Sequence, residues 1–167
     1  VASISIAVAA TPAVAATVVP GGSVGTSATW TAAGSPYIIQ GDIIVPEDGV
    51  FTIEPGVQLR FDDGDLQNGG RDRTRSEIRV RGTLNAIGAS GAPIVMGDRD
   101  GTLRSTWYGI VAETATAVVT LEHVEIAHAH HGVHSVSDGA SVTVSDAFIR
   151  ECGEYGINID IGTGTIS

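Results

Sequence analysis

The sequence predicts an all-β chain wound as a solenoid, and three observations predict it. Three Gly-aliphatic pairs, Gly109-Ile110, Gly132-Val133 and Gly156-Ile157, recur at a nearly constant interval. The segment from Val119 to Ile126 lies over the segment from Val142 to Ile149 without a gap. Apolar residues alternate in short runs, and no window carries a 3.6-residue stripe over three turns. A fixed period of about 23 residues marks a coil that buries its apolar face only by stacking on its neighbours. The 22 glycines among 167 residues, with abundant Val, Ile, Thr and Ala, suit short strands and tight corners.

Taken in order, residues 1–16 are uncharged and rich in Ala, Val and Ile, and Ala13-Val14-Ala15-Ala16 precedes Thr17. That pattern reads as the apolar region and small-residue cleavage site of a signal peptide without its basic start, and it predicts a secreted or cell-surface protein. The run is short of the ~20 apolar residues a spanning helix needs and contains Pro12, so no stable membrane span is expected. Residues 17–36 read as a linker or lead-in segment. From Tyr37 short β-rich runs follow, among them Tyr37-Ile38-Ile39, Ile43-Ile44-Val45 and Val50-Phe51-Thr52-Ile53, punctuated by Gly41, Pro46 and Gly49. Val57, Leu59 and Phe61 share one strand face, as do Ile78 and Val80, and Pro93-Ile94-Val95-Met96 follows a Gly/Ser corner.

Within the repeat, Val119, Leu121, Val124 and Ile126 point inward, and so do Val142, Val144, Ala147 and Ile149. Inward parity breaks between residues 121 and 124, which predicts a corner near His123 and, one repeat on, near Asp146. The recurring glycine should sit where φ is positive or backbones approach closely. Val111, His134 and Asn158 should form an outward row.

Residues 37–161 resemble the secreted right-handed parallel β-helix proteins of the pectate-lyase-like superfamily. The residues that carry the resemblance are Ile53-Glu54-Pro55-Gly56-Val57, Gly82-Thr83-Leu84-Asn85-Ala86-Ile87-Gly88 with Ala92-Pro93-Ile94-Val95, Trp107-Tyr108-Gly109-Ile110, and the two copies of the coil. The resemblance implies a right-handed parallel β-helix over residues 37–167, a single-stranded solenoid with coils of about 21–24 residues. It does not fix an activity, since that fold carries lyases, hydrolases, adhesins and structural segments. Of the motifs its polygalacturonases carry, only Asp62-Asp63 occurs; Gly-His-Gly is absent, and the chain has no lysine. Ser167 follows a strand-like run from Ile157 to Ile161 with no capping segment, so the domain is expected to continue or to associate end to end or by its edge.

The net charge of −10 lies wholly after Gly41. An acidic chain of this kind argues against nucleic-acid binding, which draws on a positive field. Residues 71–81 run against that balance, with Arg71, Arg73, Arg75, Arg79 and Arg81 against Asp72 and Glu77. Arg79 and Arg81 share a strand face and could grip the carboxylates or sulfates of an acidic polysaccharide; the plainer reading pairs them with Asp62, Asp63, Asp65 and Glu77. Outward Phe148, Trp107 and Tyr155 offer rings for stacking on sugars, and the equally open reading has them filling a coil corner. With His134 and Asn158 these make Arg79, Arg81, His134, Asn158, Phe148 and Tyr155 the candidate ligand-binding residues.

Two candidate metal groups stand out. His128, His130 and His131 have spacing suited to a transition metal, although the next repeat has Glu151, Gly153 and Glu154 at those positions, and a solvated turn is the plainer reading. Asp62, Asp63 and Asp65 form an oxygen-rich loop suited to Ca2+ but lack the spacing of an EF-hand. Outward carboxylates such as Glu122, Glu125, Glu151, Glu154 and Asp160 are too many to single out a hydrolytic pair. The sequence thus favours a structural or polysaccharide-binding module over a polysaccharide lyase or glycoside hydrolase, with an adhesive, self-assembling solenoid as the third possibility. It names no catalytic residue and requires no cofactor.

Overall fold

The computed structural model describes residues 15–167; the segment expected to be a signal remnant lies outside them except for Ala15 and Ala16. The first four rungs hold three strands each, and the last two hold a short strand and a long one. The first rung is β1 (Thr17–Val19), β2 (Gly22–Ser23) and β3 (Ser27–Trp30), followed by β4 (Tyr37–Ile39), β5 (Ile43–Val45) and β6 (Val50–Ile53). The third is β7 (Gln58–Phe61), β8 (Glu77–Val80) and β9 (Thr83–Ile87), and the fourth is β10 (Ile94–Asp98), β11 (Gly109–Ala112) and β12 (Val118–Glu122). The fifth has β13 (Val124–Ala127) and the long β14 (His131–Ser145), and the sixth β15 (Phe148–Arg150) and β16 (Tyr155–Ile166). Residues 17–36, read from sequence as a linker or lead-in, therefore contribute a rung of their own.

Each strand pairs in parallel with its counterpart on the next rung. One sheet runs β1-β4-β7-β10-β13-β15, and the other runs β2-β5-β8-β11-β14-β12-β9-β6-β3, with β16 added against β14. β14 joins two rows because it is long enough to turn a corner within one strand, pairing with β11 at Val133 and with β12 at Val142. The fold is all-β, its curled sheets are built of parallel strands, and this is compatible with a parallel β-solenoid. No helix among the described residues is long and apolar enough to cross a membrane.

The period acquires physical content in the registers. Ile110 pairs with Val133 one repeat on, and Val133 pairs in turn with Ile157, so the recurring Gly-aliphatic pairs are stacked neighbours. Inward side chains consequently stack in rows: Leu59, Met96, Ile126 and Ile149 in the first sheet, and Ile43, Ile78, Ile110, Val133 and Ile157 in the second. These rows form the apolar core, closed at one corner by Trp107 stacked on Phe61 with ring centroids 3.9 Å apart. Trp107, expected to point outward, is fully buried and donates its indole N–H to the Ala127 carbonyl at 3.0 Å. A large ring with one donor is more stable in an apolar corner that supplies one acceptor than on the surface.

The corners recur with the repeat. His123 and Asp146 have φ of 49° and 47°, as the parity break predicted, and His128 and Glu151 form a second pair at 61° and 55°. Gly139 and Gly162 form a third at 91° and 109°. Each of the last two repeats thus bends at three positive-φ positions, where the backbone turns without a long loop. Of the glycines that revealed the period, Gly109 has φ of 131° and abuts the His131 carbonyl, and Gly132 abuts the Gly156 carbonyl. Gly156 itself has room for a Cβ, with its nearest neighbour at 3.5 Å.

Two outer faces differ sharply. On the row that includes β3, β6, β9, β12, β14 and β16, Thr29, Thr52, Asn85, Thr120, Thr143 and Thr165 lie in register, one per rung. This rank carries no charge on a protein of −10. The charged chemistry gathers instead at the corner between the first and second strands of each rung. There the chain inserts residues 62–76 on the third rung and residues 99–108 on the fourth, while the fifth and sixth turn in a few residues.

Candidate functional site: a histidine-rich corner

Four histidines fall at that corner on the fifth rung, and the structure divides them into two pairs. His128 and His134 are saturated by protein partners. The left-handed turn at His128 directs its ring between two rungs, where Nδ1 meets the Asp98 carboxylate and Nε2 meets that of Glu151 at 2.8 Å. Burial opposes ionisation of Asp98, but the N–H groups of Thr102 (3.0 Å) and Leu103 (3.2 Å), with His128, outweigh it and hold the carboxyl below its usual range. Glu151 is held low first by the His128 hydrogen bond. Asp98 thereby ties the 99–106 loop to the turn below it.

His134 is buried on β14. Its Nε2–H donates to Asp160 at 2.7 Å, so Nδ1 is left to accept from the Tyr108 hydroxyl at 3.0 Å. A carboxylate can only accept, and that fixes the tautomer. Asp160 is held below the usual carboxylate range, chiefly by this hydrogen bond. The chain Asp160–His134–Tyr108 has the connectivity of a proton relay. Its terminal phenol, however, is raised above the ordinary tyrosine value by burial, against the opposing pull of Arg71. A buried, harder-to-ionise phenol is a hydrogen-bond donor that orders the corner, rather than a ready base.

His130 and His131 are the other pair, and neither ring makes a hydrogen bond to the protein among the described residues. His131 is buried, and its Nδ1 has no partner. Burial, then the neighbouring His134 and His130, lowers its pKa and favours the neutral ring. Both rings face one carboxylate: Glu154 lies 3.6 Å from His130 Nε2 and 3.5 Å from His131 Nε2. The repeat overlay obscures this arrangement. It sets His131 against Glu154, whereas the ladder pairs His131 with Tyr155 and so brings Glu154 level with His130.

Aromatic rings line the same corner. Tyr108 lies 5.1 Å from His131, and Tyr155 stacks on the other side of His131 at 5.5 Å with planes 19° apart. Tyr155 is 54% exposed, so its outer face is a fixed, open surface. Asn158 follows His134 in the outward row, in which Val111 and His134 are buried and Asn158 is half-buried. His134, Tyr155 and Asn158 are therefore brought together, and Phe148 is not. Phe148 stands 62% exposed on another strand, with the Arg150 guanidinium 6.0 Å above its ring.

The arginines and acidic loop lie on earlier rungs. Arg79 and Arg81 both bond Glu113, at 2.7 and 2.8 Å, and Arg79 also reaches Asp42 at 3.3 Å. Neither Glu113 nor Asp42 stands out in the sequence, because the pairing crosses rungs. Asp62 accepts from Arg99 at 2.9 Å and from Gln40 at 3.2 Å, while Asp65 accepts the backbone N–H groups of Asp42, Gln67 and Gly69. Asp62 and Asp63 border one hollow with Asp98 and Asp100, and Arg99 borders it too. A second histidine group, Glu122, His123 and Asp146, sits at the left-handed corner on the far side of the first sheet.

No protein-family model matches this sequence, no curated protein matches it, and no solved structure matches it.

Proposed function

We propose that the chain winds as a right-handed parallel β-helix of the pectate-lyase-like kind and works as an extracellular module that binds polysaccharide. The observation that carries the reading is the Tyr155 ring stacked on buried His131, with the Tyr108 ring tilted against the same histidine. It holds one exposed aromatic face rigid beside Asn158, Glu154 and Asp160. A ring already immobilised by stacking loses little freedom when a pyranose lies on it, and neighbouring amide and carboxylate groups supply in-plane hydrogen bonds to hydroxyls. Affinity electrophoresis of the chain through gels containing neutral and acidic polysaccharides tests this. Tyr155→Ala should weaken retention by about tenfold, about 1.4 kcal/mol, without moving the unfolding midpoint. Retention by no glycan, or equal retention of wild type and Y155A, would sink the reading. Release of reducing ends or unsaturated products from the same panel would make the module an enzyme instead.

One observation favours an adhesive or self-assembling role beside this. The in-register rank Thr29, Thr52, Asn85, Thr120, Thr143 and Thr165 is an uncharged row repeated along the sheet, a regular surface that a second copy of the chain could match. Replacing Thr120 and Thr143 with lysine should abolish any concentration-dependent association seen by light scattering. Association that survives those charges belongs to another face.

A further inference from the structure

We propose that His130, His131 and Glu154 bind one divalent transition cation, Zn2+ foremost, on the outer side of the histidine-rich corner. The proposal does not rest on glycan binding. Three ligand atoms, one from each residue, lie within 4.8 Å of one another. The carboxylate stands 3.6 and 3.5 Å from the two Nε2 atoms. Those gaps exceed an ordinary hydrogen bond, for which N–H···O distances run to about 3.2 Å. They approach the separation between two donors of a tetrahedral zinc, about 3.3 Å for bonds of about 2.0–2.1 Å.

The contrast with the neighbouring histidines carries the argument further. His128 and His134 each have both ring nitrogens bound by protein groups, so neither can offer a lone pair. His130 and His131 have no such partners, so the Nε2 atoms that face Glu154 are uncommitted. A cation held there gives the two imidazoles a function that no protein group here provides. The sequence expectation of His128, His130 and His131 is thus altered in one member, Glu154 replacing His128.

Local geometry keeps the site open. Glu154 is half exposed, giving an ion a route in, and three protein ligands leave a fourth position for water or a ligand atom. Gly153 lets the sixth rung approach: a Cβ there would run into Ser105 Oγ and lie 3.2 Å from His130 Nδ1. Two imidazoles with one carboxylate select a borderline transition ion over Ca2+, which takes six to eight oxygens.

The test is calorimetric titration of the whole chain, stripped with chelator, with Zn2+ alone, followed by the visible spectrum of the Co2+ form. One equivalent should bind, and Co2+ should give the intense absorption of a tetrahedral site. Glu154→Gln and His130→Asn, both on accessible side chains, should each weaken binding by at least about tenfold. His123→Asn, at the other histidine group, should leave zinc affinity unchanged. Absence of binding, unaltered binding in E154Q and H130N, or loss of binding in H123N would each overturn the site.

Discussion

Arg79 and Glu113 are 34 residues apart in sequence yet joined by a 2.7 Å ion pair, and the second oxygen of the same carboxylate takes Arg81 at 2.8 Å. One carboxylate therefore clamps, from the following rung, Arg79 on β8 and Arg81 just beyond it. Arg79 and Glu113 are largely covered, so the pair is more than a solvated surface contact.

Glu113→Ala leaves two guanidinium groups short of a partner, one of them with only Asp42 remaining. Removing one side of such a partly buried network should cost about 2 kcal/mol. Urea unfolding should show this as a lower midpoint with an unchanged slope. The double variant lacking Arg81 as well should lose little more, because Arg81 is the more exposed partner.

Asp42 and Glu77 are both buried; burial and then the Asp65 carboxylate raise Asp42 to about 6, while burial and the Asp42 carboxylate raise Glu77 to about 7. The folded chain thus holds these protons more tightly than the unfolded chain does. Their stabilising contribution is complete below about pH 4 and is lost as pH rises through 6 and 7. Asp72, Asp98, Glu151 and Asp160 are shifted the other way and lose their contribution as pH falls below about 4. The urea midpoint should therefore decline between pH 5 and pH 7.5, and Glu77→Gln should flatten that decline. A wild-type midpoint that rises over this interval would contradict the assignment.

Gly139→Ala places a Cβ at φ of 91°, 3.0 Å from the Ala115 carbonyl. It should destabilise by about 1–2 kcal/mol. Gly91 has open space around it and no such backbone strain, so Gly91→Ala should be neutral or gain up to about 1 kcal/mol by restricting the unfolded chain. Thermal unfolding of the two variants side by side separates the corner from the loop.

Trp107→Ala removes a ring stacked on Phe61 and a buried donor to Ala127. The expected cost is about 3–5 kcal/mol, with Trp107→Phe losing a smaller part of it. Near-ultraviolet circular dichroism should lose its fine structure in the alanine variant, whereas an outward Trp107 would leave both signals untouched.

The sequence by itself determined the all-β character, the repeat period, the inward rows and the corner at His123 and Asp146. All of these follow from side-chain alternation and from which residues repeat, and both are local properties written along the chain. Only the tertiary structure decided that Trp107 turns inward, that Glu113 rather than Asp62, Asp63, Asp65 or Glu77 answers Arg79 and Arg81, and that Glu154 rather than His128 stands beside His130 and His131. Stacked rungs bring together side chains that lie one or more repeats apart in sequence, with inserted loops of unequal length between them. A slip of one residue at a corner changes every partner beyond it. The overlay of the two repeats is gapless up to Ile149, while the ladder takes up one extra residue by the point where His131 meets Tyr155. That single extra residue moves Glu154 level with His130, and no property of either segment alone reveals it.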